Sequence, residues 1–108
     1  MLPDTVTPAE ARRHILAGAA LIDVRDRDEW DEVHVEGAML IPLDELPERL
    51  DDIPRVQDVV VICRSGRRSG IAQTTMRDAG IDRVSNLAGG IIAWEEAGLP
   101  VVREGSNP

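Results

Sequence analysis

Val59-Val60-Val61-Ile62-Cys63-Arg64-Ser65-Gly66-Arg67-Arg68-Ser69 decides the reading of this chain. Four consecutive β-formers flanked by polar residues are the pattern of a strand covered on both faces, as in a parallel sheet. An Arg- and Gly-rich segment follows, and then Ile71, Ala72, Thr75, Met76 and Ala79 recur at helical spacing up to a stop at Gly80. The order is strand, tight loop, helix, and the strand is expected at the centre of its sheet.

Upstream, Thr7-Pro8-Ala9-Glu10 carries a helix start: a threonine N-cap, proline at the first helical position and an acid three residues after the cap. That helix is expected to run to Ala17 and stop at Gly18. Leu21-Ile22-Asp23-Val24 reads as a short buried strand, 26–33 as an acidic helix carrying Trp30, and Met39-Leu40-Ile41 as a second short strand closed by Pro42. Leu43, Leu46, Glu48 and Leu50 sketch a further helix. Downstream, 84–87 is another short strand, Gly89-Gly90 a sharp turn, and 91–97 a last helix ended by Gly98 and Pro100. Strands separated by helical segments predict an α/β sandwich with a mainly parallel sheet, because parallel neighbours need crossover connections.

The chain has 108 residues, 43% of them apolar, enough for one domain with its own core and too few for a second. The core is expected over about 5–102, with a polar tail at 103–108. Trp30 and Trp94 are the only aromatic residues, so the core is aliphatic and the stacking platforms that hold single-stranded nucleic acid are missing. A net charge of −8 repels a phosphate backbone, which excludes nucleic acid as a partner class. All twelve basic residues are Arg, so lysine Schiff-base chemistry is excluded and any anion binding falls to guanidinium groups. No apolar run approaches a membrane span, and 1–7 lacks a basic start followed by an apolar stretch. A cytoplasmic location without a membrane partner is the expectation. Cys63 is the single cysteine, which excludes an internal disulfide, a Cys-x-x-Cys pair and a multi-thiolate metal site, and suits a reducing compartment.

Loops at the carboxyl ends of parallel strands meet helix N-termini whose amides are unpaired, and that is where ligands bind in such sheets. Cys63 is nominated by this position. A thiol there feels the positive end of a helix dipole and three guanidinium groups, those of Arg64, Arg67 and Arg68, all of which favour thiolate. Gly66 allows successive amides to turn inward as a cradle for an anion or a sulfur atom. Cations at a helix N-terminus are electrostatically disfavoured, so three of them beside the only cysteine of an acidic chain point to a bound anion.

Together with Leu21-Ile22-Asp23-Val24-Arg25 before it and Asn86-Leu87-Ala88-Gly89-Gly90-Ile91-Ile92-Ala93-Trp94 after it, this loop resembles that of single-domain rhodaneses over about 5–102. The resemblance implies a three-layer α/β sandwich, with a five-stranded, mostly parallel sheet flanked by helices. It also implies a sulfurtransferase in which Cys63 takes a sulfane sulfur from a small anionic donor such as thiosulfate. A persulfide is then held by the amides of Arg64 to Ser69, and a thiol or cyanide collects the sulfur. No metal or organic cofactor is needed. A protein donor or acceptor is the alternative partner, in a carrier or regulatory module with little activity on thiosulfate. Cell-cycle phosphatases and an arsenate reductase resemble rhodaneses but carry Cys-x5-Arg. Here Cys63 and Arg68 have four residues between them and Ser69 stands where that arginine would fall, so the shorter loop favours sulfur over phosphoryl transfer.

By the same resemblance Asp23 and Arg25 support the site from a neighbouring strand. Asp23 is expected to accept loop or helix hydrogen bonds, and Arg25 to pair with Glu29 or Asp28. Arg68 is the guanidinium expected to matter most for the donor, with Arg64 facing solvent. Trp30 and Trp94 read as core edges, His14 as a solvated group and His34 as structural. The stretch 26–52 holds eleven acids against Arg27 and Arg49, a solvated face or a docking surface for a basic protein.

Overall fold

The structure, a computed structural model, describes residues 3–103. Strand β1 (Thr5–Val6) leads into helix α1 (Pro8–Leu16), β2 (Ala20–Asp23), α2 (Arg27–Glu32), β3 (Val33–His34) and β4 (Met39–Leu40). Two 3₁₀ turns, Leu43–Glu48 and Leu50–Asp52, precede β5 (Val59–Ile62). Helix α3 (Arg67–Asp78), β6 (Val84–Leu87), α4 (Gly90–Glu96) and β7 (Val102–Arg103) complete the order.

The main sheet runs β1-β6-β5-β2-β4, and every pairing in it is parallel. The β5 strand is its centre, as the unbroken run of β-branched residues requires, and all four of its residues are buried. Its side chains alternate between two cores with the period of a strand. Val59, Val61 and Cys63 join Ile22, Ala72 and Met76 on one face; Val60 and Ile62 join Ala11, Leu87 and Trp94 on the other. Helix α3 covers the first face, and α1 and α4 the second. The cysteine is therefore the next inward residue of a buried strand, carried past the sheet edge into the loop.

The capping box predicted for α1 is present, with the Thr7 hydroxyl accepting from the Glu10 amide at 3.2 Å and the Glu10 carboxylate accepting from the Thr7 amide at 2.8 Å. The helix expected over 43–50 is instead 3₁₀. Pro47 lacks the N–H that an α-helical ladder needs, and short i to i−3 bonds such as Glu45 N–H to Pro42 O replace it. Three two-residue strands escaped the sequence reading. β1 is the fifth strand of the sheet, while β3 and β7 form a separate antiparallel pair that takes Arg103 out of the expected tail. Residues 104–108 of that tail lie outside the described residues. On α3 the buried positions are Ser69, Ala72 and Met76, whereas Ile71 is exposed. Among the described residues no helix is long and apolar enough to cross a membrane.

Candidate active site

Cys63 lies where β5 ends, and the backbone turns at Gly66 to start α3. Gly66 is the N-cap with φ of 108°, a left-handed conformation that a side chain would strain. This turn aims the Gly66 N–H at the Cys63 Sγ, 3.0 Å away. Ser69, fully buried in the first turn of α3, brings its Oγ to 3.2 Å of the same sulfur. Burial pushes the thiol up. The Ser69 hydroxyl and the backbone amides of Ser69, Gly66 and Ser65 pull the other way and prevail, so the thiol lies below its ordinary value. Cys63 is itself only 1% exposed, so its sulfur combines an aliphatic wall with a ring of donors.

The charged residues around this sulfur divide into committed and uncommitted groups. Arg68 is held by Glu29 of α2 in a two-pronged pair, Nη1 to Oε1 at 2.6 Å and Nη2 to Oε2 at 2.9 Å. That bond is the main reason the Glu29 carboxyl falls to about 2, against the opposing effect of its burial. Glu29 Oε1 also accepts from the Asp26 amide, so one carboxylate joins the start of α2 to the start of α3. Arg68 is thus anchored rather than waiting for a donor. Arg64 and Arg67 are exposed and, among the described residues, form no ion pair.

Asp23 and Arg25 stand where the sequence reading placed them, at the end of β2, but paired with each other. Arg25 Nη2 lies 2.8 Å from Asp23 Oδ2, with both side chains buried. The same guanidinium donates to the Val33 carbonyl at 2.6 Å and to the Glu29 carbonyl at 3.4 Å. The expected partners of Arg25, the carboxylates of Glu29 or Asp28, are therefore not the observed ones. A buried arginine needs a fully desolvated counter-charge, and Asp23 is beside it on the same strand end.

Asn86 is a site residue that the sequence reading quoted only within a longer motif, and Glu29 one that it named as a partner for Arg25 and not for Arg68. Asn86 on β6 faces the loop, with Nδ2 donating to the Gly66 carbonyl at 3.0 Å and Oδ1 lying 2.6 Å from Ser69 Oγ. Its signal in the sequence is a side-chain amide inside a short strand, where such residues are depleted. The α4 turn holds the loop from behind, the Ile91 and Ile92 amides donating to the Cys63 and Arg64 carbonyls at 2.9 and 3.2 Å. Trp94 is buried, with its indole N–H on the Pro100 carbonyl. Trp30 is half-buried and stacks on His34 with centroids 3.8 Å apart. His14 is half-buried on α1. Beside the loop opens a groove of about 370 Å³ whose lining includes Arg25, Glu29, Glu32, Arg64, Ile92 and Glu95.

This arrangement favours a thiolate at Cys63. Comparison with known proteins agrees in kind. The chain is 43% identical over 82 residues to a sulfurtransferase of Allochromatium vinosum, covering 76% of this chain and 77% of that protein. It is 42% identical over 100 residues, 89% of its length, to the probable adenylyltransferase/sulfurtransferase MoeZ of Mycobacterium tuberculosis, of which it spans only 26%. The crystal structure of a rhodanese-related protein from Thermoplasma volcanium superposes with a TM-score of 0.86 at 30% identity, over 93% of this chain and 98% of that one. The match to the family described as rhodanese-like domain runs through residues 7–97, from the cap of α1 to the end of α4, and the chain belongs to that family.

Proposed function

We propose that the chain is a sulfurtransferase that carries sulfane sulfur on Cys63. The thiolate attacks the outer sulfur of thiosulfate, the S–S bond to the sulfonate breaks, and sulfite leaves with its electron pair, so the cysteine becomes a persulfide anion. Cyanide or a thiolate then attacks the terminal sulfur, and Cys63 departs as thiolate. Both halves balance in atoms and charge without an added oxidant or reductant. The observation that carries this reading is the Gly66 amide and Ser69 hydroxyl converging on Sγ at 3.0 and 3.2 Å. The Gly66 amide, fixed by the turn, stabilises charge as it builds on sulfur without reorganising, and the Ser69 hydroxyl lies within reach to join it. Arg64 and Arg67, exposed beside the loop, attract the anionic donor, and Arg68 braces the loop through Glu29.

Mass spectrometry after incubation with thiosulfate tests the proposal. The expected result is a gain of one sulfur atom, removed by cyanide with release of thiocyanate and absent from Cys63→Ser. An unchanged mass, or the same gain in the serine variant, would overturn it.

A second reading keeps the persulfide and changes the partner, so that sulfur arrives from or leaves to another protein. The groove favours it, because Glu29, Glu32 and Glu95 line its wall alongside Arg64. With Arg68 neutralised, a dianion meets less positive charge there than the run of arginines promises. Faster sulfur exchange with a persulfide-bearing basic protein than with thiosulfate distinguishes the carrier from the free enzyme.

A further inference from the structure

Ser69 has one hydroxyl proton and two acceptors in reach. Cys63 Sγ lies 3.2 Å from its Oγ, and Asn86 Oδ1 lies 2.6 Å from it on the other side. The amide of Asn86 cannot turn round without loss. Its Nδ2 donates to the Gly66 carbonyl at 3.0 Å, and the reversed orientation would set two acceptors against each other there. Asn86 therefore presents an oxygen, not an N–H, to Ser69, and the hydroxyl has to choose between that oxygen and the sulfur.

We propose that Asn86 is a positioning residue that retains the Ser69 proton while Cys63 is a thiol and yields it when the sulfur becomes anionic. In the resting state the hydroxyl donates to Asn86 Oδ1, and the Cys63 S–H can donate to Ser69 Oγ. When the thiol proton leaves to solvent, the hydroxyl rotates to Sγ, and the Asn86 oxygen loses the Ser69 donor. The competition opposes ionisation, and it ends each time negative charge appears on Cys63. Asn86 has a second effect, since its bond to Gly66 O helps hold the glycine whose N–H also reaches the sulfur. Only the first effect passes through Ser69.

The other charges around the sulfur are Arg64, Arg67 and Arg68 on the loop and α3, Glu29 on α2 bound to Arg68, the Asp23–Arg25 pair at the end of β2, and Glu95 beyond Arg64 on α4. The variants below leave all of them in place. The relevance of the proposal to turnover rests on Cys63 being the sulfur carrier, but thiol titration measures the effect without any turnover. Failure of one reading is thus distinguishable from failure of the other.

The experiment is a double-mutant cycle of Asn86→Ala and Ser69→Ala, with the Cys63 pKa read from the pH dependence of iodoacetamide alkylation. Loss of Asn86 is expected to move the pKa lower in the presence of Ser69 than in its absence, by about 0.5 to 1 pH unit. Equal shifts in the two backgrounds would overturn the proposal, because a purely structural effect through Gly66 does not depend on the serine. Asn86→Asp fills the same space and guards against a defect of truncation; it loses the donor to the Gly66 carbonyl in the serine and alanine backgrounds alike, so that effect cancels in the comparison. It keeps an acceptor on the hydroxyl and is expected to raise the pKa more with Ser69 present than with alanine there. An upward shift of the same size in both backgrounds would overturn it equally.

Discussion

Two strand-to-helix turns lie side by side in this molecule, one from β5 into α3 and one from β6 into α4. Both pass through a left-handed glycine N-cap, Gly66 at φ 108° and Gly89 at φ 75°. Their strands are hydrogen-bonded neighbours, with Val61 opposite Asn86. They differ in where their free amides point. Those of the first turn converge on a sulfur, while the second gives the Ile91 and Ile92 amides to the Cys63 and Arg64 carbonyls. The same local device thus makes the proposed active site in one place and its backing in the other. What separates them is the residue at the strand end: Cys63 follows β5, where Ala88 follows β6.

The contrast breaks most severely at Gly90. A Cβ there would lie 2.4 Å from the Arg64 carbonyl carbon and oxygen and the Cys63 oxygen, all backbone, at φ +58°. Gly90→Ala is expected to cost about 3–5 kcal/mol in chemical denaturation, because neither turn can move without opening the loop. At Gly66 the nearest atom to a new Cβ is 3.6 Å away, so Gly66→Ala meets strain without collision. Its stability loss is expected at about 1–2 kcal/mol, accompanied by roughly tenfold slower sulfur transfer as the N–H swings off the thiolate. If Gly66→Ala proved the more destabilising of the two, the second turn would not be the backing of the first.

Smaller effects sharpen the division of labour among the charges. Glu29→Gln releases Arg68, and the thiosulfate KM is expected to fall about two- to fivefold as a freed guanidinium meets the donor. The Glu29 carboxyl is depressed from 4.5 to about 2, so the stability it supplies is full above about 4.5 and is lost as pH falls toward 2. Unfolding curves of wild type and Glu29→Gln are accordingly expected to converge across that window, and a constant gap would show that Arg68 is not its source. The smallest change is expected for Arg64→Ala with Arg67→Ala, a rise of about two- to threefold in thiosulfate KM with kcat held. That rise should shrink at high salt, since both groups are exposed, and an unchanged KM at low salt would remove them from donor capture.

Much of this was legible in the chain because it rests on local rules. The unbroken Val59–Ile62 run identified a strand covered on both faces, and the Thr7 and Glu10 pair identified a helix start. The loop between β5 and α3 nominated Cys63 through its position alone. Two-residue strands such as β1 and β3 carry too few residues to show a period, and they form because a segment distant in sequence offers a partner, β6 for β1 and β7 for β3. Pro47 was visible, yet the apolar spacing of 43, 46 and 50 was read as a helix without weighing the N–H that it lacks.

The sequence by itself determined the alternation of strands and helices, the lone thiol and its place at a strand end, because periodicity, capping and cysteine count are properties of neighbours along the chain. Only the tertiary structure decided that Arg68 belongs to Glu29, 39 positions away, and that Asn86 contests the hydroxyl of Ser69, 17 positions away. Such pairings follow from a crossover that lays distant strand ends side by side. In a buried site a few tenths of an ångström choose which acceptor receives a proton, and no spacing along a chain encodes that distance.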